Sequence, residues 1–334
     1  MKQYVIVGGG VAATRAAEQI RELHREDPVT LIAEERRPFY MRPLLADFVA
    51  GRIEGDKLWR TFETVAESKR ISVMAGQPVV AIDRPGQSVE LANGEKVSYD
   101  ALLVATGVKP RLPKIPGVEL DGVTAFSTLA DAVKVSAWAS DAKTAVVIGR
   151  GLQGVELTRA LRLRGLAVTM LVPDESPWFP ALFTVKGELI EQKLKQHGVD
   201  VIALDTAAEL VAQRNRVAGV KTREGRELEA DIVGFALDQR ACTEFLAGSG
   251  ISLAEGVVTD ARLQTTDPNV YAAGDVAQIE HDGKRRPIGY GWLRAVSHGD
   301  AAGRNLAGEA AEVEVGGESE AQALYGASLL ARWE

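Results

Sequence analysis

Two short glycine-rich stretches carry the first chemistry legible in this sequence: Gly8, Gly9, Gly10, Val11, Ala12 and Ala13 near the start, and Gly149, Arg150, Gly151, Leu152, Gln153 and Gly154 near the middle. In the first, Gly8 permits a tight turn, Gly10 lets the backbone approach a pyrophosphate, and Ala13 in the third small-residue position allows close helix packing. Phosphates would sit on the N-terminus of the helix that follows, where free N–H groups and the dipole favour negative charge. Glu34, at the end of "VTLIAEE", stands where a carboxylate can accept hydrogen bonds from an adenosine ribose. The second stretch repeats the spacing with Gly149, Gly151 and Gly154, but Val172 occupies the position of the ribose-binding acid and is followed by Pro173 and Asp174. A hydrogen bond to a charged group contributes about 1.5–3 kcal/mol. Its loss weakens nucleotide binding by roughly one to two orders of magnitude unless Asp174 substitutes. No arginine stands there for a 2′-phosphate. A fold retained with little nucleotide affinity is the alternative reading of this second copy.

The elements around these residues are strand, turn and helix in both copies. "YVIV" and "TAVVI" are short apolar runs of strand type, and the apolar positions of "ATRAAEQIREL" and "VELTRALRLRG" recur at helical spacing. "YDALLVATGVKPR" predicts a strand ending in the small residues Ala105, Thr106 and Gly107, followed by a proline-studded linker through "PKIPG". "TTDPNVYAAGDVA" predicts a turn, a short strand and then Gly274 and Asp275, where small residues again allow the backbone to approach something bulky. Taken singly, each of these is also a strand that merely ends in a turn.

Composition narrows the classes. The 334 residues suffice for two domains, and the net charge of −7 is spread without long single-sign runs, which argues against nucleic-acid binding. Apolar runs such as "ALLVA" fall far short of the roughly 20 residues needed to span a bilayer. Lys2 leads straight into "YVIV", with no apolar stretch of a signal peptide, so a cytoplasmic protein is expected. The single cysteine, Cys242, forbids an intrachain disulfide, and the four histidines, at 24, 197, 281 and 298, show no metal-ligand spacing.

In order and spacing, "VIVGGGVAA", "YDALLVATG", "VVIGRGLQGVE" and "VYAAGD" resemble the two-dinucleotide-binding-domain flavoproteins of the pyridine nucleotide-disulfide oxidoreductase superfamily over nearly the whole chain. The resemblance implies an α/β fold of two Rossmann-like domains, the first holding FAD and the second, inserted within it, holding NADH or NADPH. The expected domains are 1–115 with 245–334 for FAD, and 116–244 for the nicotinamide nucleotide. "RPFYMRPLLADFVAG" and "GWLRAVSHGDAAGRNLAG" resemble the branch of ferredoxin and rubredoxin reductases and the flavin portion of NADH-dependent nitrite reductases. That match implies Arg42 near the FAD pyrophosphate, Pro43 near the flavin, and Trp292 and Ala295 beside the isoalloxazine. With Gly8, Gly10, Val11, Ala12, Ala13, Glu34, Val79, Ala105, Thr106, Gly107, Arg111, Gly274 and Asp275 they form the expected FAD set. Gly149, Gly151, Leu152, Gln153 and Gly154 form the expected nicotinamide set, and Glu156 and Trp292 are the expected catalytic residues.

Departures from the branch are visible too. Asp47 stands where a lysine pairs with the glutamate represented here by Glu156, so two carboxylates would face each other, and repulsion would favour protonation of one. "LDQRA" lacks the glycine and proline of the superfamily's "GxxP" segment, and Cys242, in a loop of the nucleotide domain, reads as an incidental small residue. Only a short tail follows Asp275. Most of a C-terminal interface domain is therefore expected to be missing, with Glu309–Gln322 a solvated connection and Ala323–Glu334 a docking remnant or packed end strand. The implied function is electron transfer from a reduced nicotinamide nucleotide through flavin to a rubredoxin-, ferredoxin- or reductase-subunit-like protein or a small acceptor, without a redox disulfide or metal. A flavin-containing subunit of a larger reductase, or a flavin-binding scaffold or sensor that has lost NAD(P)H use, are the alternatives.

Overall fold

The computed structural model describes residues 1–37, 39–58, 69–173, 187–286, 291–315 and 333. In chain order, the elements that bear on the site begin with β1 (Tyr4–Val7), α1 (Val11–Leu23), β2 (Val29–Ala33), α2 (Leu45–Val49), β3 (Ser72–Ala75), β4 (Ala101–Val104), β5 (Val123–Thr124) and α3 (Leu129–Trp138). They continue with β6 (Thr144–Ile148), α4 (Leu152–Leu163), β7 (Ala167–Val172), α5 (Gly187–Gln196), β8 (Val199–Ala203), β9 (Ile232–Phe235), β10 (Val270–Ala272) and α6 (Trp292–Leu306).

The chain divides into two compact units. The first comprises the described parts of Met1–Tyr40, Trp59–Lys109 and Arg240–Gly317, and the second those of Met41–Leu58, Pro110–Gln239 and Glu318–Glu334. Met41–Leu58 thus groups with the second unit, whereas the expected boundaries put it with residues 1–115. The cause is long-range: α2 packs on α3 and α4, and Asp47 on α2 is ion-paired to Arg159 on α4. Cys242 lies in a loop, but that loop groups with the first unit, whereas the expected boundaries put it in the nucleotide domain.

In the first unit a wholly parallel sheet runs β10-β4-β1-β2-β3. Its central strands are unbroken apolar runs, and Ile6, Leu31, Leu102 and Leu103 are fully buried, as a sheet covered on both faces requires. Helix α6 lies along α1 at very close range. A Cβ on Gly299 or Gly303 would come within 2.6 Å of the α1 backbone oxygens of Ala12 or Ala16, so the missing side chains set the spacing. The tail begins by packing on this unit rather than as a solvated connection. Val313 is buried in the core and its N–H donates to Ala261 O, while Asn305 brackets Ala311 from both sides. Alternating valines in this acidic stretch supply the apolar side. The rest of the tail lies outside the described residues except Trp333, which is buried against Met170, Ile190 and Leu194 and stacks near His197.

The second unit repeats the plan, with a parallel sheet in the order β8-β7-β6-β9-β5 and a core of Val146, Ile148, Leu171, Val233 and Phe235. Asp231 ties the start of β6 to the start of β9, accepting hydrogen bonds from Lys143 N, Thr144 N and Thr144 Oγ1 at 2.7–3.1 Å. Burial disfavours its charged form, but these donors outweigh burial and hold the carboxyl below the ordinary aspartate value. A carboxylate with a depressed folded value stabilises above its unfolded pKa, near 4, and loses that contribution as pH falls through the folded value. The stability difference between the wild type and Asp231→Asn is therefore expected to shrink below about pH 4, as read by urea unfolding across pH 3–6. Among the described residues no helix is long and apolar enough to cross a membrane.

Candidate functional site

Because both sheets are parallel, the segments leaving the C-terminal ends of their strands gather on one edge of each sheet, where doubly wound folds bind ligands. In the first unit that edge carries Gly8 after β1, Glu34 after β2, Ala105, Thr106 and Gly107 after β4, and Gly274 and Asp275 after β10. Gly8 N donates to Ile32 O at 2.8 Å and Ala105 N to Val7 O at 2.8 Å. Gly8 has φ +139°, and a Cβ there would lie 2.1 Å from Ala105 O. The two turns are thus pressed together with no room for a side chain.

Helix α1 then starts at Gly10 with no side-chain cap and no acidic residue in its first turn, and a Cβ on Gly10 would meet nothing within 4 Å. Uncapped N–H groups beneath an open backbone face match the needs of a diphosphate. Ala12 and Ala295 approach Gly274 from α1 and α6: a Cβ on Gly274 would lie 3.1 Å and 3.8 Å from their methyl groups. The sequence-expected residues Gly8, Gly10, Val11, Ala12, Ala13, Ala105, Gly274 and Ala295 therefore cluster. Trp292, at the start of α6, has its ring 6.1 Å from that of Phe39, and Gly291 N, just before it, donates to Asp275 at 3.3 Å. Val79 opens the Val79–Asp83 strand, half-buried against the same core.

Two features here escaped the sequence. Glu34 is exposed and paired through both oxygens with Lys109 Nζ, at 2.8 and 2.6 Å, so the carboxylate expected to meet a ribose is held beside a cation. The lone cysteine acts through its backbone. Thr106 Oγ1 donates to Cys242 O at 2.7 Å and Cys242 N to Gly107 O at 3.0 Å, which pins the turn after β4. Its thiol is buried.

The second unit reproduces the first turn almost atom for atom. Gly149 N donates to Leu171 O at 2.9 Å, Ala236 N donates to Ile148 O at 2.8 Å, and a Cβ on Gly149, at φ +124°, would lie 2.0 Å from Ala236 O. Helix α4 starts at Gly151, again uncapped and without a first-turn acid. A Cβ on Gly154 would lie 2.8 Å from Gly149 O, the close helix–strand packing expected of the third glycine. Gln153 accepts from Gln239 Nε2 at 2.8 Å, so "LDQRA" reaches the glycine turn despite lacking the superfamily's glycine and proline. Leu152 is half-buried, and Val172 is buried at the end of β7 with no carboxylate to offer. Asp174 lies outside the described residues.

Arg42, Pro43 and Arg111, expected in the FAD set, belong to the second unit. Arg42 and Pro43 form a short turn, and Arg42 Nη1 donates to Ser127 O at 2.6 Å. Arg111 is exposed, and its N–H donates to Asp238 O. Glu156 and Asp47 do not confront each other directly. Arg159, fully buried, places Nη2 2.8 Å from Asp47 Oδ1 and 2.7 Å from Glu156 Oε2, with Nε 3.2 Å from the same Glu156 oxygen. The repulsion expected from the sequence is thus bridged by a cation that the sequence reading did not single out.

Comparison with known proteins bears on the family and the fold. A family model described as pyridine nucleotide-disulphide oxidoreductase matches residues 2–299. The chain is 32% identical to rhodocoxin reductase of Rhodococcus erythropolis over 84% of its own length and 66% of that protein's. It is 31% identical to a nitrite reductase [NAD(P)H] of Bacillus subtilis over 87% of its length and 35% of that protein's. Among solved structures, a NAD-dependent persulfide reductase from A. fulgidus superposes with a TM-score of 0.86 at 27% identity, covering 93% of this chain and 60% of that one. The chain therefore spans about two thirds or less of these relatives.

Proposed function

Since the chain belongs to the pyridine nucleotide-disulphide oxidoreductase family, we propose that it is an FAD-dependent oxidoreductase that draws electrons from NADH or NADPH and passes them to a protein carrier or small acceptor. The observation that carries this reading is the duplicated turn: Gly8 against Ala105 and Gly149 against Ala236 share positive φ, hydrogen-bond pattern and contact distance. One chain thus offers two cradles for dinucleotides, as a reaction between two bound nucleotides demands. FAD, when bound, accepts two electrons and a proton from the reduced nicotinamide and releases electrons singly or in pairs.

The protein's share is binding, orientation and exclusion of water. In this reading Gly10, Val11, Ala12 and Ala13 receive the FAD diphosphate, Thr106 and Gly107 line its approach under the hold of Cys242, and Glu34 meets the ribose. Trp292 and Ala295 stand beside the flavin, while Gly151, Leu152, Gln153 and Gly154 hold the nicotinamide nucleotide. These 334 residues hold a single cysteine, so no disulfide forms within them, and this reading passes electrons from the flavin directly to the acceptor. A ferredoxin-like acceptor is supported by a relative named as a probable ferredoxin reductase, 28% identical to this chain. A role as the flavin portion of a larger reductase is supported by the match to 35% of the nitrite reductase. A cytoplasmic setting fits, since reduced nicotinamide nucleotides are made there.

The test is anaerobic. Purified yellow protein is mixed with NADH or NADPH in a stopped-flow instrument and the flavin band is followed. Rapid bleaching by at least one nucleotide is expected. Bound flavin that dithionite bleaches but neither nucleotide does would sink the oxidoreductase reading and leave a scaffold.

A further inference from the structure

The Asp47, Arg159 and Glu156 cluster has a form that neither the duplicated turns nor the family match accounts for. Arg159 has no exposed side-chain surface, Glu156 and Asp47 are 8% and 12% exposed at theirs, and a single Nη2 lies within 2.8 Å of both carboxylates. Glu156 and Arg159 sit one turn apart on α4, so a fixed i,i+3 geometry sets their pairing. Asp47 arrives from 112 residues away, on the five-residue helix α2. That helix follows directly on the Arg42–Leu44 turn, and the segment around it is closed by Met41 N to Leu58 O at 3.0 Å and Arg52 N to Asp47 O at 2.9 Å. A buried guanidinium repays its desolvation only through close, well-aligned acceptors, and removing it leaves buried carboxylates facing each other.

We infer that Arg159 is a positioning residue: it orients the Glu156 carboxylate and, through Asp47, fixes the Arg42–Pro43 turn to α4. The inference rests on the reading of Glu156 and of that turn as parts of the reaction site. The arrangement reverses an ordinary salt bridge. The segment contributes the anion, α4 contributes both the cation and the second anion, and the charge that holds Glu156 comes from its own helix. The glycine turn of Gly149–Gly154 leads into the same helix, so α4 joins nucleotide binding, Glu156 and the segment in one rigid element.

The experiment is a double-mutant cycle on the FAD-loaded protein, with Arg159→Met, Asp47→Lys and both together. Removing the cation is expected to lower the unfolding midpoint by roughly 5–15 °C. It is also expected to lower the limiting rate of flavin reduction by up to about 100-fold while nucleotide affinity, read from the concentration dependence, is retained. The double variant puts an ammonium on α2 opposite Glu156 and is expected to recover both stability and rate beyond the sum of the single changes. Arg159→Lys, which keeps the cation, is expected to fold and to retain more of the rate than Arg159→Met, even if the latter fails to fold. Effects of the two sites that simply add, or a Lys variant no better than Met, would overturn the inference. Should wild-type flavin not be reduced by either nucleotide, the oxidoreductase reading fails, but the stability arm of the cycle still decides whether the three side chains act as a unit.

Discussion

Gly8→Ala is expected to give protein without bound flavin. The residue sits at φ +139°, where a Cβ is strained, and that Cβ would lie 2.1 Å from Ala105 O and 3.1 Å from Thr106 N. Neither neighbour can yield cheaply, because both are backbone in a turn fixed by Ala105 N to Val7 O and by Thr106 Oγ1 to Cys242 O. Positive-φ strain and overpacking together cost roughly 3–5 kcal/mol. If the turn opens to relieve them, the Gly10–Ala13 N–H groups and the Thr106–Gly107 backbone lose their common geometry. A 3 kcal/mol loss alone lowers cofactor affinity by more than about 100-fold. The check is the ratio of flavin absorbance to protein after gel filtration, with thermal unfolding alongside. A variant that purifies as yellow as wild type would mean that FAD is not held by this turn.

How much of this was readable beforehand depends on the range of the constraint. The glycine turns were legible because their cause is local: a strand that must turn at positive φ and start a helix leaves glycine at fixed spacing, and Gly8 and Gly149 adopt that geometry with the same contacts. The strands "YVIV", "ALLV" and "TAVVI" were legible as short apolar runs, whereas their parallel pairing was implied only by the family resemblance; their burial is what a sheet covered on both faces requires. Arg159 was not legible. In "VELTRALRLRG" it is one of three arginines, and only Arg162, bonded to carbonyls of His197 and Leu166, and Arg164 keep to the rim of the helix. One of its two carboxylate partners is Asp47, and no local pattern announces a partner 112 residues distant. A usable signal did exist: Glu156 and Arg159 fall on one helix face, and an acid replacing an expected lysine at Asp47 implies that a cation must come from elsewhere. The place of Cys242 was hidden for a different reason, because its backbone C=O and N–H hold the turn after β4, and backbone roles leave no mark on residue type.

The equivalent change in the second unit, Gly149→Ala, should separate the two half-reactions. Its Cβ would lie 2.0 Å from Ala236 O and 2.5 Å from Ala236 C, at φ +124°, so the local strain matches that at Gly8. Here the turn is anchored to β7 and β9, through Gly149 N to Leu171 O and Ala236 N to Ile148 O, and relief must displace the start of α4. The Gly8 turn of the first unit, proposed above to hold FAD, shares none of these bonds. Gly149→Ala is therefore expected to keep the flavin spectrum and its reduction by dithionite, while bleaching by NADH or NADPH slows at low nucleotide concentration by at least about 100-fold, the equivalent of a 2.7 kcal/mol loss of binding. The concentration dependence is informative. Val172 gives this site no ribose carboxylate, so its affinity rests more heavily on the α4 N-terminus than in a site that has one. A variant that binds FAD normally and is still reduced at the wild-type rate with wild-type nucleotide dependence would show that electrons enter the flavin without the second glycine turn, and the two-cradle reading would fall with it.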